Sequence, residues 1–307
     1  MTHPALHPGE IEMQRRRGVL EAGSRVAAII HPAMPPAAAS FIAQQPFTIA
    51  AVLDQEQRPW AALWSGPPGF LEIRDERTLN VAESSFDALT REKMVPGQVG
   101  LLAIEPETRR RMRFNGMATE GADGLRIEAE EVFSNCPKFI QKRILAWHDE
   151  APATPTRGLD LNADQRRQIA GADTLFLATH NPRGGADASH RGGPPGFVRW
   201  IDEKTLEFAD YAGNNLFNTL GNLVLNPRLG LLHVDFESGD ILQLTGHVEL
   251  IDEVAETSSY PGSAGLRVRF EAEEWLEQRR AMPWRGSLVE PSPFNPLPEA
   301  GVSVPNR

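Results

Sequence analysis

The feature that most constrains this chain is a repeat. Gly66-Pro67-Pro68-Gly69-Phe70 recurs as Gly193-Pro194-Pro195-Gly196-Phe197, 127 positions later. Gly100-Leu101-Leu102 recurs as Gly230-Leu231-Leu232 at an offset of 130, and Gly116 recurs as Gly246 at the same offset. Gly124-Leu125-Arg126 recurs as Gly265-Leu266-Arg267 at 141. Offsets that grow in one order are what loop insertions produce between two copies of one fold. The alternative is two unrelated β domains that share turn chemistry. A length of 307 residues has room for two domains.

Hydrophobic alternation bounded by Gly, Pro and Asp marks strands. In the first half these runs are Phe47–Leu53, Trp60–Trp64, Phe70–Ile73, Thr78–Ala82, Val99–Ile104, Arg111–Ala118 and Leu125–Val132. In the second half they are Thr174–Thr179, Ala186–His190, Phe197–Ile201, Thr205–Ala209, Leu229–Asp235, Asp240–Leu250 and Gly265–Ala272. Helices are predicted over Glu10–Ala22, Pro35–Ala43, Pro137–His148, Asn162–Ala170 and Asn214–Leu225. Asn162 reads as an N-cap, with Gln165 as its capping-box partner. Six or so strands per copy with few helices predict a mainly β (α+β) chain of two small antiparallel barrels packed as a pseudo-dimer, with short flanking helices. The expected division is 1–148 for the N-terminal helix and first barrel, 149–161 for a linker, 162–285 for the second barrel and 286–307 for a Pro-rich tail. The seam between barrels is the natural place for a ligand.

Composition narrows the function. Lysine and arginine number 31 against 41 acidic residues, a net charge of −10. That argues against general binding of nucleic acid or anionic membrane, while leaving room for a local anion site. A single cysteine excludes intrachain disulfides, multi-cysteine zinc sites and four-cysteine iron–sulfur clusters. Met1–Glu10 has no basic region followed by an apolar run, and Pro32, Pro35 and Pro36 break the apolar stretch Val26–Ala43. A cytoplasmic protein is expected. The P-loop, the Rossmann fingerprint, the H-E-x-x-H zinc motif and the G-x-S-x-G elbow are all missing from the sequence.

Two segments carry chemistry. Ala188-Ser189-His190-Arg191-Gly192-Gly193 places a hydroxyl, an imidazole and a guanidinium at a strand end, followed by glycines that let backbone approach a ligand. A phosphate suits that set through a charge-assisted fork from Arg191 and a hydroxyl donor from Ser189. The plain alternative is a hairpin with Arg191 solvated. The first half keeps the turn but carries Trp64-Ser65 in place of His190-Arg191. The second segment is Asp210–Leu223. Asp210 or Asn214 can cap a helix there, and Asn215 and Asn218 share a helical face. The plain reading is ordinary capping and a solvated face. Arg109–Arg113 holds four arginines, of which one or two can lie near a phosphate across the seam, the default being an exposed strand or turn. Cys136 at a predicted helix start reads as a structural thiol, and His233 and His247 lack a third ligand for a metal.

These residues carry a family resemblance. Ala188–Phe197, Asp210–Leu223, Asn226-Pro227-Arg228-Leu229-Gly230-Leu231-Leu232 and Leu244-Thr245-Gly246 resemble the pyridoxamine 5'-phosphate oxidase-like superfamily of FMN-binding split barrels. In the first half the resemblance rests on Gly100-Leu101-Leu102, Arg111–Gly116 and Asn135-Cys136-Pro137-Lys138. It covers roughly residues 46–142 and 174–273 and implies two tandem split barrels with an FMN at the seam; the contrast between Trp64-Ser65 and His190-Arg191 predicts one FMN per chain, held mainly by the second copy. It implies a cofactor site from Ser189, His190, Arg191, Asp210, Asn214, Asn215 and Asn218, joined by Arg111, Arg113 and Lys138. The implied activity is an FMN-dependent oxidoreductase or electron carrier that uses a small-molecule donor or acceptor such as NAD(P)H, in a chain able to form a homodimer. The substrate signature of a true vitamin B6 phosphate oxidase, and its arginine–lysine pair beside the phosphate, are not found. The rival implied by the family is a non-catalytic module, or one that binds heme or deazaflavin.

Overall fold

The computed structural model describes residue 3 and residues 5–183 and 185–296. The first sheet holds β1 (Phe47–Leu53), β2 (Pro59–Ser65), β3 (Leu71–Ile73), β4 (Thr78–Ala82), β5 (Gln98–Glu105), β6 (Arg110–Gly121) and β7 (Gly124–Ser134). Their spatial order is β2-β1-β5-β6-β7-β4-β3, with every pairing antiparallel. The second sheet holds β8 (Thr174–Asn181), β9 (Gly185–Gly192), β10 (Val198–Trp200), β11 (Thr205–Tyr211), β12 (Arg228–Val234), β13 (Ile241–Asp252) and β14 (Ser263–Gln278). Their order, β9-β8-β12-β13-β14-β11-β10, repeats that of the first sheet strand for strand. Each sheet curls into a split barrel.

The matched glycines fall at matched places. Gly116 in β6 and Gly246 in β13 each sit at a register shift. A Cβ would lie 1.9 Å from Glu128 O at the first and 2.0 Å from Glu271 O at the second. Both bulges therefore need a residue without a side chain.

Strand alternation sends side chains into three apolar clusters. Ala50 and Val52 of β1 and Leu101 of β5 fill the first barrel. Leu175, Leu177, Leu229 and Leu231 fill the second. The opposite faces of the same strands, with Phe47, Ile49, Leu102, Phe176, Ala178 and Leu232, form a third cluster shared by both halves. This seam is why β1 and β8 are buried along their whole lengths. At the seam the backbones touch. A Cβ on Gly100 would lie 2.6 Å from Ala186 O, and one on Gly230 would lie 2.6 Å from Trp60 Cα. Each half thus presses its β5 or β12 against the second strand of the other, the geometry of a pseudo-two-fold interface.

The helices are α1 (Pro8–Arg16), α2 (Leu20–Val26), α3 (Pro36–Gln44), α4 (Ala88–Lys93), α5 (Ala163–Ala170) and α6 (Asn218–Leu225). The expected capping box of α5 is formed, with Asn162 Oδ1 accepting from Gln165 N at 2.9 Å and Asn162 N donating to Gln165 Oε1 at 3.0 Å. Three helix expectations are corrected. Glu10–Ala22 is two helices, because Gly18 adopts φ +68° between them. The helix expected from Asn214 begins at Asn218, after Asn215 and Phe217 take left-handed backbone. Pro137–His148 is not a helix. Phe139 has φ 67°, Ile140 is buried and Ile144 is 56% exposed, so its apolar residues do not share a face. Lys142–Arg143 pairs instead with Leu288–Glu290, and Ala146–Trp147 with Trp284–Arg285. Thr156–Gly158, within the expected linker, pairs with β14. The tail expected over 286–307 is described as far as residue 296; its remainder lies outside the described residues. No helix among the described residues is long and apolar enough to cross a membrane.

A Gly230→Ala substitution should cost about 1–3 kcal/mol, as overpacking does in close-packed interiors. Urea unfolding of the parent and the variant measures it; an unchanged midpoint would show that the two halves do not meet as described.

Candidate functional site

A cleft of about 770 Å3, counting its open mouth, lies at one end of the seam. The first half supplies Arg111 and Arg113 from β6 and the segment Asn135–Phe139. The second half supplies Ser189–Gly192 of β9, Asp210 and Tyr211 at the end of β11, the loop at 213–217 and the first turn of α6. All ten residues singled out in the sequence line this cleft: Arg111, Arg113, Lys138, Ser189, His190, Arg191, Asp210, Asn214, Asn215 and Asn218.

The period of two along β9 puts Asp187, Ser189 and Arg191 on one face. Ser189 Oγ donates to Asp187 Oδ2 at 3.0 Å and shares a 2.6 Å hydrogen bond with Thr219 Oγ1. Arg113 crosses the seam to this face. Its Nε donates to Ala188 O at 3.2 Å and lies 3.3 Å from Asp187 Oδ1. Its two terminal nitrogens donate to Ser189 Oγ and Asn218 Oδ1. Arg191 is paired with Asp210 through Nη1 and Oδ1. Arg113 and Arg191 therefore each have a carboxylate.

Arg111 does not. Among the described residues it makes no ion pair, its Nε has no partner, and Nη1 reaches His190 Nδ1 at 3.2 Å. Burial, and then the neighbouring Arg113 guanidinium, bring its pKa down to about 9. It is still charged at pH 7, so an uncompensated cation stands in the cleft wall. His190 is held neutral. Burial comes first, then the charges of Arg111, Arg191 and Arg143, and together they push its pKa well below the usual value. A guanidinium can only donate, so Nδ1 is the acceptor and the ring proton sits on Nε2.

Phe139 and Tyr211 meet from opposite walls, with ring centroids 5.0 Å apart and 34° between planes. Lys138 lies at the rim with its ammonium over the Phe294 ring at 5.6 Å. Asn214 Oδ1 accepts from Leu216 N at 3.2 Å and so shapes the loop. The arginine run divides by strand face. Arg110 pairs with Glu105 at 2.7 Å and Arg109 donates to Ile140 O at 3.0 Å, while Arg111 and Arg113 enter the cleft. The default expectation of an exposed run holds only for Arg110, at 61% side-chain exposure. His233 and His247 lie toward opposite ends of the β12–β13 ladder, pairing with Leu242 and Arg228.

Sequence reasoning missed Asp187, Thr219, Phe139, Tyr211 and Glu10. Two-residue spacing from Ser189 points to Asp187. Nothing local points to Glu10, whose partner Asn218 is 208 positions away.

The comparison between halves needs one correction. Phe47 pairs with Ser65 and Thr174 with Gly192, so Trp64 occupies the position of Arg191, and Leu63 that of His190. The sequence pairing of Trp64-Ser65 with His190-Arg191 was one residue out of register. Trp64 is fully buried, donates from Nε1 to Thr90 Oγ1 at 2.8 Å and packs on Phe86 at 5.0 Å. Gln243 stands for Arg113, donating to Ala61 O at 2.8 Å. An indole fills the space that is a charged cleft in the second half.

The fold and site define a pair of split barrels with a cationic cleft at the seam. Residues 161–287 match the family model described as pyridoxamine 5'-phosphate oxidase. That stretch includes the second barrel, which is thus similar to this family. No curated protein matches the chain. Similar solved structures include a protein from Clostridium acetobutylicum related to general stress protein 26 of Bacillus subtilis, in the pyridoxine phosphate oxidase family. It is 14% identical, covers 41% of this chain and 92% of its own, and has a TM-score of 0.30. An FAD-binding protein from Mesorhizobium loti is 12% identical over 41% of this chain and 99% of its own, with a TM-score of 0.29. The FAD-binding protein of Mycobacterium smegmatis is 13% identical over 41% and 98%, with a TM-score of 0.26.

Glu10 gives a pH prediction. It is 3% exposed, and its carboxyl accepts from Asn218 Nδ2 at 2.6 Å and from His7 N at 2.9 Å. Burial is the main cause that raises its pKa to about 8, with Glu131 and Asp187 adding to it. The folded state keeps a proton that the unfolded state gives up near 4.5, so this group costs stability as pH rises from about 4.5 to 8. Relative to the parent, a Glu10→Gln variant should gain stability progressively across that window. Melting temperatures of both proteins from pH 5 to 9 test this; a constant difference would refute it.

Proposed function

We propose that the cleft binds FMN through its phosphate and that the protein is an FMN-dependent oxidoreductase or electron carrier. The observation that carries the reading is Arg111, a charged guanidinium without a carboxylate in the wall of a cleft. The surrounding charges agree. Arg111, Arg113, Arg191 and Lys138 face Asp187 and Asp210, an excess of two positive charges. A phosphate monoester carries about −1.5 to −2 at neutral pH. Ser189 and Asn218 hold the Arg113 fork in plane, Asp210 does the same for Arg191, and the proton on His190 Nε2 makes that ring a neutral donor. Phe139 and Tyr211 offer aromatic faces from both walls. When bound, the flavin supplies the electron chemistry, and the residues bind it and orient it. The electron donor or acceptor in this reading is a small molecule such as NAD(P)H.

The two halves are in this view copies of one split barrel, the first having exchanged its arginine for Trp64. One flavin per chain follows. The test is titration of the protein with FMN, read by quenching of flavin fluorescence. Saturation at one FMN per chain is expected, as is an Arg111→Ala variant weakened by about 1.5–3 kcal/mol, or roughly 10- to 150-fold. Two flavins per chain, or parent-like affinity in the variant, would overturn the reading. A Soret band in the purified protein would point to heme.

A further inference from the structure

The loop at 213–217 lines the cleft but is not self-supporting. Asn215 and Phe217 are left-handed at φ 64° and 63°, a conformation that is unfavourable for a side-chain-bearing residue and persists only where surroundings impose it. The loop's own side chains supply one support, the Asn214 contact to Leu216 N. Phe217 packs against the core of the second barrel, and further support comes from the other end of the chain. Gln14 of α1 is fully buried, and its Nε2 donates to Asn215 O at 3.1 Å and to Leu216 O at 3.4 Å. Glu10, one helical turn earlier, accepts from Asn218. That side chain in turn accepts from Arg113. Leu216 is fully buried among Leu6, Ala27 and Phe133 of β7, a cluster distinct from the two barrel cores and the seam. The helices come close enough that a Cβ on Gly9 would lie 2.0 Å from Gly221 O, and one on Gly23 would lie 2.7 Å from Asn215 O.

We infer that the N-terminal helix pair is a positioning element of the cleft, with Gln14 as the residue that holds the 213–217 loop in its ligand-facing form. The role in ligand binding rests on the proposed anion site; the hold on the loop does not. Gln14 does not line the cleft; it acts through the backbone carbonyls of Asn215, a lining residue, and Leu216. Both accept from one amide, which a side chain without a donor cannot replace.

The experiment compares the full-length parent with Gln14→Met, which keeps the length of the side chain and removes the amide. Hydrogen exchange is followed by mass spectrometry without ligand, and FMN affinity is measured by fluorescence quenching. Faster exchange over 213–217 is expected, with β8 and β12 unchanged, together with about tenfold weaker FMN binding. Unchanged exchange in the loop, or an increase shared equally by β8 and β12, overturns the inference. Faster loop exchange with parent-like FMN affinity overturns the positioning role. A parent that takes up no FMN while its loop responds to Gln14→Met leaves the hold standing and overturns the flavin reading instead.

Discussion

The structure depends on a close approach of backbones at the seam. β5 of the first barrel lies against β9 of the second, and β12 lies against β2, with Gly100 and Gly230 at the points of contact. Because the central strands bury both faces, the two barrels share one apolar layer and neither face of β1 or β8 meets water. Burial of that layer is non-directional. Direction comes in part from the glycines, because a side chain at Gly100 or Gly230 would meet the opposite backbone. The same contact brings Arg113 to Ala188 O on one side and Gln243 to Ala61 O on the other.

Two equivalent spaces result, and side chains make them different. At one, Trp64 and Phe86 fill the volume and Asp87 is enclosed, its carboxyl accepting from Leu63 N at 2.8 Å. At the other, arginines replace the indole and the amide and line an open cleft. An apolar plug stabilises the first space by burial. Three guanidiniums close together cannot do that, and the carboxylates of Asp187 and Asp210 compensate only two of them. Among the described residues the second space keeps one guanidinium without a carboxylate, which is the physical asymmetry between two equivalent positions of a nearly symmetric scaffold.

The cleft also has an outer support unrelated to the repeat. α1 and α2 belong to neither barrel, yet Glu10 and Gln14 reach α6 and the loop before it. Glu10 is buried near Glu131 and Asp187, so the support includes a carboxyl that holds its proton to about pH 8. Asn218 links that acid to the cleft, its amide donating to Glu10 and its carbonyl oxygen accepting from Arg113.

Local chemistry was legible from the residues. Asn162 and Gln165 capped a helix because the bonds are three positions apart, and alternation located all fourteen barrel strands. The repeat identified paired barrels, and the polar set from Ser189 to Asn218 identified one wall of the cleft. What was misread had non-local causes. Pro137–His148 has helical spacing, yet its backbone groups pair with Trp284–Glu290, which no local pattern announces. Arg111 looked like part of a solvated run, because what withdraws it from water is the opposite barrel. By itself, then, the sequence determined the strands, the recurrence of matched turns and glycines, and which residue types were available for an anion. Only the tertiary structure decided which arginine lacks a counter-charge, because charge compensation is set by distances of a few ångströms between residues far apart in the chain.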